Sequence, residues 1–199
     1  MKTHVFVDID TQFDFMHDQG NLAVPGAEEL RDNLKALTNF ALVNKIKIIA
    51  SADAHPLDDS EFEIFPPHCV VGTEGQRKIE ETTVENSRVI KNEAEAADLL
   101  GQISKFDQVL LEKQTFDVFT NLHAETVIDS LPAQEYVVYG VATDYCVKAA
   151  VIGLLERGCQ VTVVEDAIAP VEEKTGEESL ALMREEGATF KSTIEIVGN

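Results

Sequence analysis

The chain has 199 residues, with 16 lysines and arginines against 36 aspartates and glutamates, a formal charge of −20. A field of that sign repels nucleic acid and anionic membrane surfaces, and the length suits one substantial domain over residues 1–199 but not two comfortable ones. Three scattered cysteines, Cys69, Cys146 and Cys159, argue against a disulfide framework. Met1 to His4 runs straight into apolar Val5-Phe6-Val7 without signal-peptide architecture, and no uncharged apolar stretch approaches the ~18 residues of a membrane span. A reducing cytoplasm is the expected compartment.

Taken in chain order, the first compact β-type run is Val5–Ile9, followed by Asp8-Ile9-Asp10-Thr11-Gln12-Phe13-Asp14-Phe15. Glu28–Asn44 places Leu30, Leu34, Leu37, Phe40 and Ala41 at helical spacing. A second strand is predicted over Ile46–Ser51. From Asp53 to about Glu85 the pattern has no clear period and contains Pro56, Pro66, Pro67, Gly72 and Gly75. A loop of that length inside a compact domain is usually functional. Weaker strands are predicted at Arg88–Lys91 and Ile194–Val197, and stronger ones at Val109–Glu112, Tyr136–Tyr139 and Val161–Glu165. Helical patterns at Ala94–Ile103, Ala124–Ser130, Cys146–Arg157 and Glu173–Glu186 alternate with them. Valine- and isoleucine-rich strands alternating with helices imply an α/β fold of βαβ units, with a parallel sheet covered on both faces.

In open α/β sheets ligands sit beyond the carboxyl ends of the strands, so the residues just after each strand carry the functional expectation. These are Asp10, then Asp53-Ala54-His55, then Lys113, then Cys146. A thiol, a carboxylate and an ammonium at one edge give a nucleophile, a proton shuttle and a cation able to hold both charges. Cys146 opens a helix-compatible stretch after the turn at Gly140, where free N–H groups and the helix dipole favour a thiolate. The same position also suits a small buried residue under a helix. Asp53, His55 and the proline-braced His68 make a carboxylate and two imidazoles, a common divalent-metal set that leaves positions open for water or substrate. The D-x-H spacing is equally satisfied by a His55 that merely caps the turn before Pro56.

Asp10-x-Gln12-x-Asp14-Phe15, Asp53-x-His55, Phe65-Pro66-Pro67-His68, Lys113 and Gly140-Val-Ala-Thr-Asp-Tyr-Cys146 occur in the order seen in the nicotinamidase/pyrazinamidase branch of the isochorismatase-like cysteine hydrolases, which the chain resembles from Val5 to about Pro170. The resemblance implies a three-layer α/β/α sandwich of the Rossmann-like, isochorismatase-like type, with a central, mostly parallel sheet of about six strands. It implies a catalytic set of Asp10, Lys113 and Cys146, and an oxyanion hole from the N–H groups of Ala142 and Cys146 beside a non-proline cis bond at Val141–Ala142. Phe15, Phe65, Phe116 and Val141 match positions that enclose a flat ring. Asp53, His55 and His68 match ligands of one divalent metal ion, expected to be zinc, with iron and manganese accepting the same set. In the nicotinamidases that metal binds the pyridine nitrogen, and the reaction, nicotinamide to nicotinic acid plus ammonia through a thioester, serves NAD recycling.

Two departures from many nicotinamidases bear on pocket shape: Ala54 stands where a tryptophan is common, and Lys113-Gln114-Thr115-Phe116 lacks the usual Ser-Ala-Phe after the lysine. The alternative activities are hydrolysis of carbamoyl, ureido or other small amides, against which the metal set weighs, and isochorismatase-type hydrolysis, against which Cys146 weighs. A non-catalytic nucleotide module is disfavoured because no G-x-G-x-x-G follows the first strand. A homo-oligomer is compatible with the sequence, homodimers being the commonest association. Asp8 reads as a structural carboxylate, Asp14 as a turn or cap residue, and Cys69 and Cys159 as packing residues. His4 and His123 read as surface residues, and Asp58, Asp59 and Glu61 as solvent-exposed.

Overall fold

The computed structural model describes residues 3–94 and 102–198. Its framework is one seven-stranded sheet in the order β3-β4-β2-β1-β5-β6-β7, with every neighbouring pair parallel. The strands are β1 (His4–Ile9), β2 (Lys47–Asp53), β3 (Ser87–Ile90), β4 (Gln108–Lys113), β5 (Glu135–Val141), β6 (Val161–Ala169) and β7 (Thr189–Lys191). The expected three-layer fold is present, with seven strands rather than about six.

Both faces of the sheet are covered, which is why its strands read as continuous apolar runs. Val5, Val7 and Ile9 of β1, Ile49 of β2, and Tyr136 and Val138 of β5 join one core. Phe6, Ile48, Val137 and Tyr139, the alternate residues of the same strands, join the other. Helices α3 (Ala124–Ser130), α4 (Lys148–Glu156) and α5 (Glu173–Glu185) lie on the first face, through Val127, Val151, Leu154 and Met183. On the second, α2 (Arg31–Val43) buries Leu34, Leu37 and Ala41, and α6 (Thr193–Val197) adds Ile196 and Val197. A one-turn helix, α1 (Phe13–Met16), follows β1.

The structure departs from the sequence reading at Ile194–Val197 and at two histidines. Ile194–Val197, expected as a strand, is helix α6, because Ser192 and Glu195 form a capping box that starts a helix there. The seventh strand instead lies just upstream, at Thr189–Lys191. Most of the helix expected at Ala94–Ile103 falls outside the described residues, and Ile103 itself begins a 3-10 turn to Lys105. His123 is buried, with Nε2 2.8 Å from the Glu93 carbonyl oxygen, and His4 Nε2 lies 3.2 Å from Glu135 Oε2. Neither is the partnerless surface residue that spacing alone implied.

The strand order reverses at β1: the chain lays β2, β3 and β4 on one side of it and returns to build β5, β6 and β7 on the other. The crevice at such a switch point is where open α/β sheets bind ligands. Gly140, at φ 115°, lets β5 come directly against Ile9 at the end of β1, where a Cβ would overlap the Ile9 carbonyl oxygen. One residue on, the Val141–Ala142 peptide bond is cis, as the resemblance implied.

Candidate active site

Four strand ends deliver the site. Asp10 follows β1 in a left-handed conformation (φ 48°), Asp53 ends β2, Lys113 ends β4, and Cys146 lies in a π-helical turn (Thr143–Val147) between β5 and α4. The helix expected from Cys146 therefore begins two residues later, at Lys148. Lys113 is the hub. Its fully buried ammonium lies 2.8 Å from Asp10 Oδ2, contacts Asp53 Oδ1, and stands 3.7 Å from Cys146 Sγ. Asp10 Oδ1 accepts a 2.6 Å hydrogen bond from the Ser51 hydroxyl.

The electrostatics follow from this packing. Burial raises the Asp10 carboxyl above its ordinary range, with Lys113 opposing and Asp53 adding to the rise. Burial acts on Asp53 in the same sense, but the charge of Lys113 and the neighbouring His55 outweigh it and hold Asp53 low. Burial alone would lower Lys113, yet the charges of Asp10 and Asp53 push it well above the usual lysine range. Cys146 corrects the expectation of a resting thiolate: burial pushes the thiol well up, Lys113 opposes it, and both carboxylates reinforce it. Burial thus favours the neutral thiol, so attack requires a base, and the Asp10 side chain lies within hydrogen-bond reach of Cys146.

The second group abuts the first through Asp53, whose other oxygen, Oδ2, is 3.6 Å from His55 Nε2 and 3.8 Å from His68 Nε2. The three ligand atoms all lie within 4.8 Å of one another, and all three residues are buried. Each imidazole is engaged on its far side, His55 Nδ1 with Asp59 Oδ2 at 3.0 Å and His68 Nδ1 with the Pro66 carbonyl oxygen at 2.9 Å. Such outer contacts orient metal-binding histidines. His55 Nε2 is buried and has no hydrogen-bond partner among the described residues. An orphaned imidazole nitrogen facing a carboxylate and a second imidazole fits a divalent cation. Burial disfavours the charged ring of His55, but its contacts with Asp53 and Asp59 outweigh that and raise it to about 8.

The loop holding the histidines is fixed by side chains whose role the sequence did not reveal. His55 and Val70 form a parallel bridge, and Asp14 grips the backbone beyond His68 by accepting from Cys69 N–H at 2.7 Å while also accepting from Asn21 N–H at 3.0 Å. Asp59, discounted as solvent-exposed, is the partner of His55, and its i, i+4 spacing from that histidine was the available signal. Asp8 is structural as expected, fully buried and bound by Thr11 Oγ1 at 2.8 Å and Lys78 Nζ at 2.9 Å. Asp144, inside the Cys146 turn, accepts from Val171 N–H (2.9 Å), Glu172 N–H (3.2 Å) and Thr175 Oγ1 (2.6 Å), tying that turn to the start of α5.

Between the two groups opens a pocket lined by Phe15, Phe65, Phe116, Val141 and Ala142, with Asp53, His68 and Cys146 at its polar end. Every wall residue expected from the sequence lines it. Leu22, Val24, Tyr145 and Val171 complete the apolar wall, and Glu61 adds a carboxylate 3.9 Å from His68 Nε2. Phe65, Phe116 and Tyr145 pack around one another with ring centroids 5.1–6.3 Å apart. Such walls suit a flat aromatic guest.

Residues 4–195 match the family model described as Isochorismatase domain. The chain belongs to the isochorismatase family. Two family relatives are the nicotinamidase of Saccharomyces cerevisiae, 26% identical over 205 residues covering 86% of this chain and 89% of that one, and the nicotinamidase of Escherichia coli, 26% identical over 185 residues covering 83% of each. Among solved structures, the pyrazinamidase of Pyrococcus horikoshii in complex with zinc shares the fold at a TM-score of 0.78 and 21% identity, over 95% of this chain and 98% of that one. By class this isochorismatase-family protein is a hydrolase. No helix among its described residues is long and apolar enough to cross a membrane.

Proposed function

We propose that this chain is a cysteine amidohydrolase of small carboxamides, with nicotinamide as its substrate. The observation that carries this reading is the buried ammonium of Lys113, which faces Asp10, Asp53 and Cys146, the last two of which line an aromatic-walled pocket. Asp10 takes the thiol proton, and Sγ of Cys146 attacks the amide carbonyl. The oxygen that becomes negative is held by the N–H groups of Ala142 and Cys146. Asp10 returns the proton to the amide nitrogen, the C–N bond breaks, and ammonia leaves a thioester on Cys146. Asp10 then deprotonates a water molecule that attacks the thioester, releasing the acid and restoring the thiol. Lys113 opposes the rise that burial imposes on the Asp10 carboxyl and so favours the carboxylate that acts as base. Phe15, Phe65, Phe116 and Val141 hold the flat ring so that the carboxamide meets Sγ.

Asp53, His55 and His68 are the ligands of a divalent metal ion, with zinc first among the candidates. When bound, the ion supplies a Lewis-acidic point at the polar end of the pocket that fixes a ring nitrogen or a water molecule. Replacing His55 or His68 by alanine is expected to remove the metal, read as metal per chain by elemental analysis after gel filtration. Because His55 must shed a proton to coordinate, affinity is expected to weaken as pH falls below about 8. Metal content unchanged in both alanine variants would refute the assignment.

Ammonia release by the purified, metal-loaded chain tests the function, with nicotinamide, pyrazinamide and an N-carbamoyl amino acid offered in parallel. The expected result is a kcat/KM for nicotinamide well above that for the carbamoyl compound. Hydrolysis of the carbamoyl compound alone would overturn the nicotinamide reading and retain the amidohydrolase.

A further inference from the structure

Asp53 is asked to do two things at once. Oδ1 contacts Lys113 and Oδ2 faces both histidines, so a small displacement of its backbone moves both groups. On one side that backbone is secured by the sheet, because Asp53 pairs with Lys113 of β4 and Ala54 N–H donates to the Lys113 carbonyl at 2.8 Å. On the other side the neighbouring strand has ended. The β1–β2 ladder last pairs Asp8 with Ala50, and after a 3.3 Å bond from Asp10 N–H to the Ser51 carbonyl the chain turns away at Asp10.

The side chain of Gln12 fills the missing place. Its Oε1 accepts from Asp53 N–H at 2.7 Å, and its Nε2 donates to the Asp53 carbonyl at 2.9 Å and to the Gln76 carbonyl at 2.7 Å. The carboxamide thus makes the paired donor and acceptor contacts that a strand backbone would have made. Gln12 is fully buried, and the backbone on either side of it is anchored, with Phe13 N–H donating to the Arg77 carbonyl at 2.8 Å and Ile79 N–H to the Thr11 carbonyl at 3.0 Å. We propose that Gln12 is a positioning residue whose side chain serves as a one-residue strand for Asp53, and so sets both the metal affinity of the Asp53, His55 and His68 group and the placement of Lys113. Glutamate cannot replace it, because two carbonyl oxygens face Nε2 and a carboxylate has no proton for either. This inference rests on the metal assignment made above.

The test is a zinc-binding isotherm by competition with a chromophoric chelator, together with kcat and KM for nicotinamide at saturating zinc. It compares the wild-type chain with Gln12→Met, which keeps the length and loses the hydrogen bonds, and with Gln12→Glu, which keeps only the acceptor. Thr82→Val is the control. Thr82 is as deeply buried and bonds Thr11 Oγ1 at 2.7 Å, without touching Asp53. Both Gln12 variants are expected to bind zinc at least tenfold more weakly and to lose at least tenfold in kcat with KM changed less than threefold. Thr82→Val is expected to lower the melting temperature and leave zinc affinity within threefold of wild type. If Gln12→Met does not fold, Gln12→Glu carries the same expectation. Wild-type zinc affinity in a folded Gln12 variant, or a loss in Thr82→Val as large as in Gln12→Met, would overturn the proposal. A wild-type chain that binds no divalent metal would overturn the metal assignment itself, a result separate from either. Zinc binding with no nicotinamide hydrolysis would count against the substrate and leave the isotherm comparison decisive for Gln12.

Discussion

A Cys146→Ala chain is expected to release ammonia from nicotinamide more slowly by a factor on the order of 10⁴ to 10⁶, the range seen when a nucleophile is deleted from a covalent catalyst. Neither of the other two cysteines can substitute. Cys69 is buried in the loop wall with its Sγ 3.7 Å from the Gly75 carbonyl oxygen, and burial holds its thiol protonated. Cys159 lies in the turn before β6, at the opposite end of the sheet. The variant should fold as wild type, because the side chain loses one sulfur atom at a site that keeps its wall of Val141, Ala142 and Tyr145. The measurement is single-turnover and steady-state ammonia release, with circular dichroism and the melting temperature recorded beside it. Substantial turnover by the folded variant would eliminate covalent catalysis at Cys146.

Replacing Lys113 by methionine is expected to act on both stability and activity. Methionine approximates the volume of the lysine stem, so packing is largely kept, while the one ammonium that faces Asp10 and Asp53 among the described residues is removed. Breaking a buried ion pair by removing one partner costs about 3–5 kcal/mol, because the charge left behind is uncompensated. Here two carboxylates would be left, with relative side-chain exposures of 0% and 6%. The chain is expected to relieve the repulsion by protonating Asp10, whose carboxyl is already raised by burial and is opposed only by Lys113 and its hydrogen bonds. A protonated Asp10 cannot accept the thiol proton, so activity should fall about as far as in the cysteine variant. Urea unfolding at pH 7 and the ammonia assay check both halves. A Lys113→Met chain as stable as wild type would show that the ammonium does not offset the carboxylates.

Much of this architecture was legible in the chain because its strands obey one simple rule. Both faces of β1, β2 and β5 are buried, so Val5–Ile9 and Tyr136–Tyr139 read as unbroken apolar runs, and the residues after them could be located by inspection. Asp10, Asp53, Lys113 and Cys146 all stand in such places, so their positions are visible in the chain itself. The contacts that organise them were harder to read, because each is a side chain meeting a backbone group far away in sequence. Gln12 meeting Asp53, Asp14 meeting Cys69, and Asp144 meeting Val171 and Glu172 leave no periodic trace. The thiol was misjudged for a related reason. A helix terminus is a local feature that sequence displays, whereas the burial that dominates Cys146 is a property of the assembled pocket. Ile194–Val197 misled in the opposite direction: its branched side chains suggest a strand, and a capping box two residues upstream decides for a helix.

The return of the chain across β1 has a further consequence for how this protein comes to exist. Asp10 and Asp53 are brought side by side by the pairing of β1 with β2, an early and nearby step along the chain. Their counter-charge arrives only when β4 docks on the outer edge of β2, and the thiol only when the chain crosses back to lay β5 on the far side of β1. Until both steps are complete, Asp10 and Asp53 lack the Lys113 ammonium and the Cys146 thiol. Long-range pairings of this kind are slow to form. On the proposed chemistry, competence is withheld until the last of these separations is closed, and a truncated product that stops short of β5 is expected to be inert.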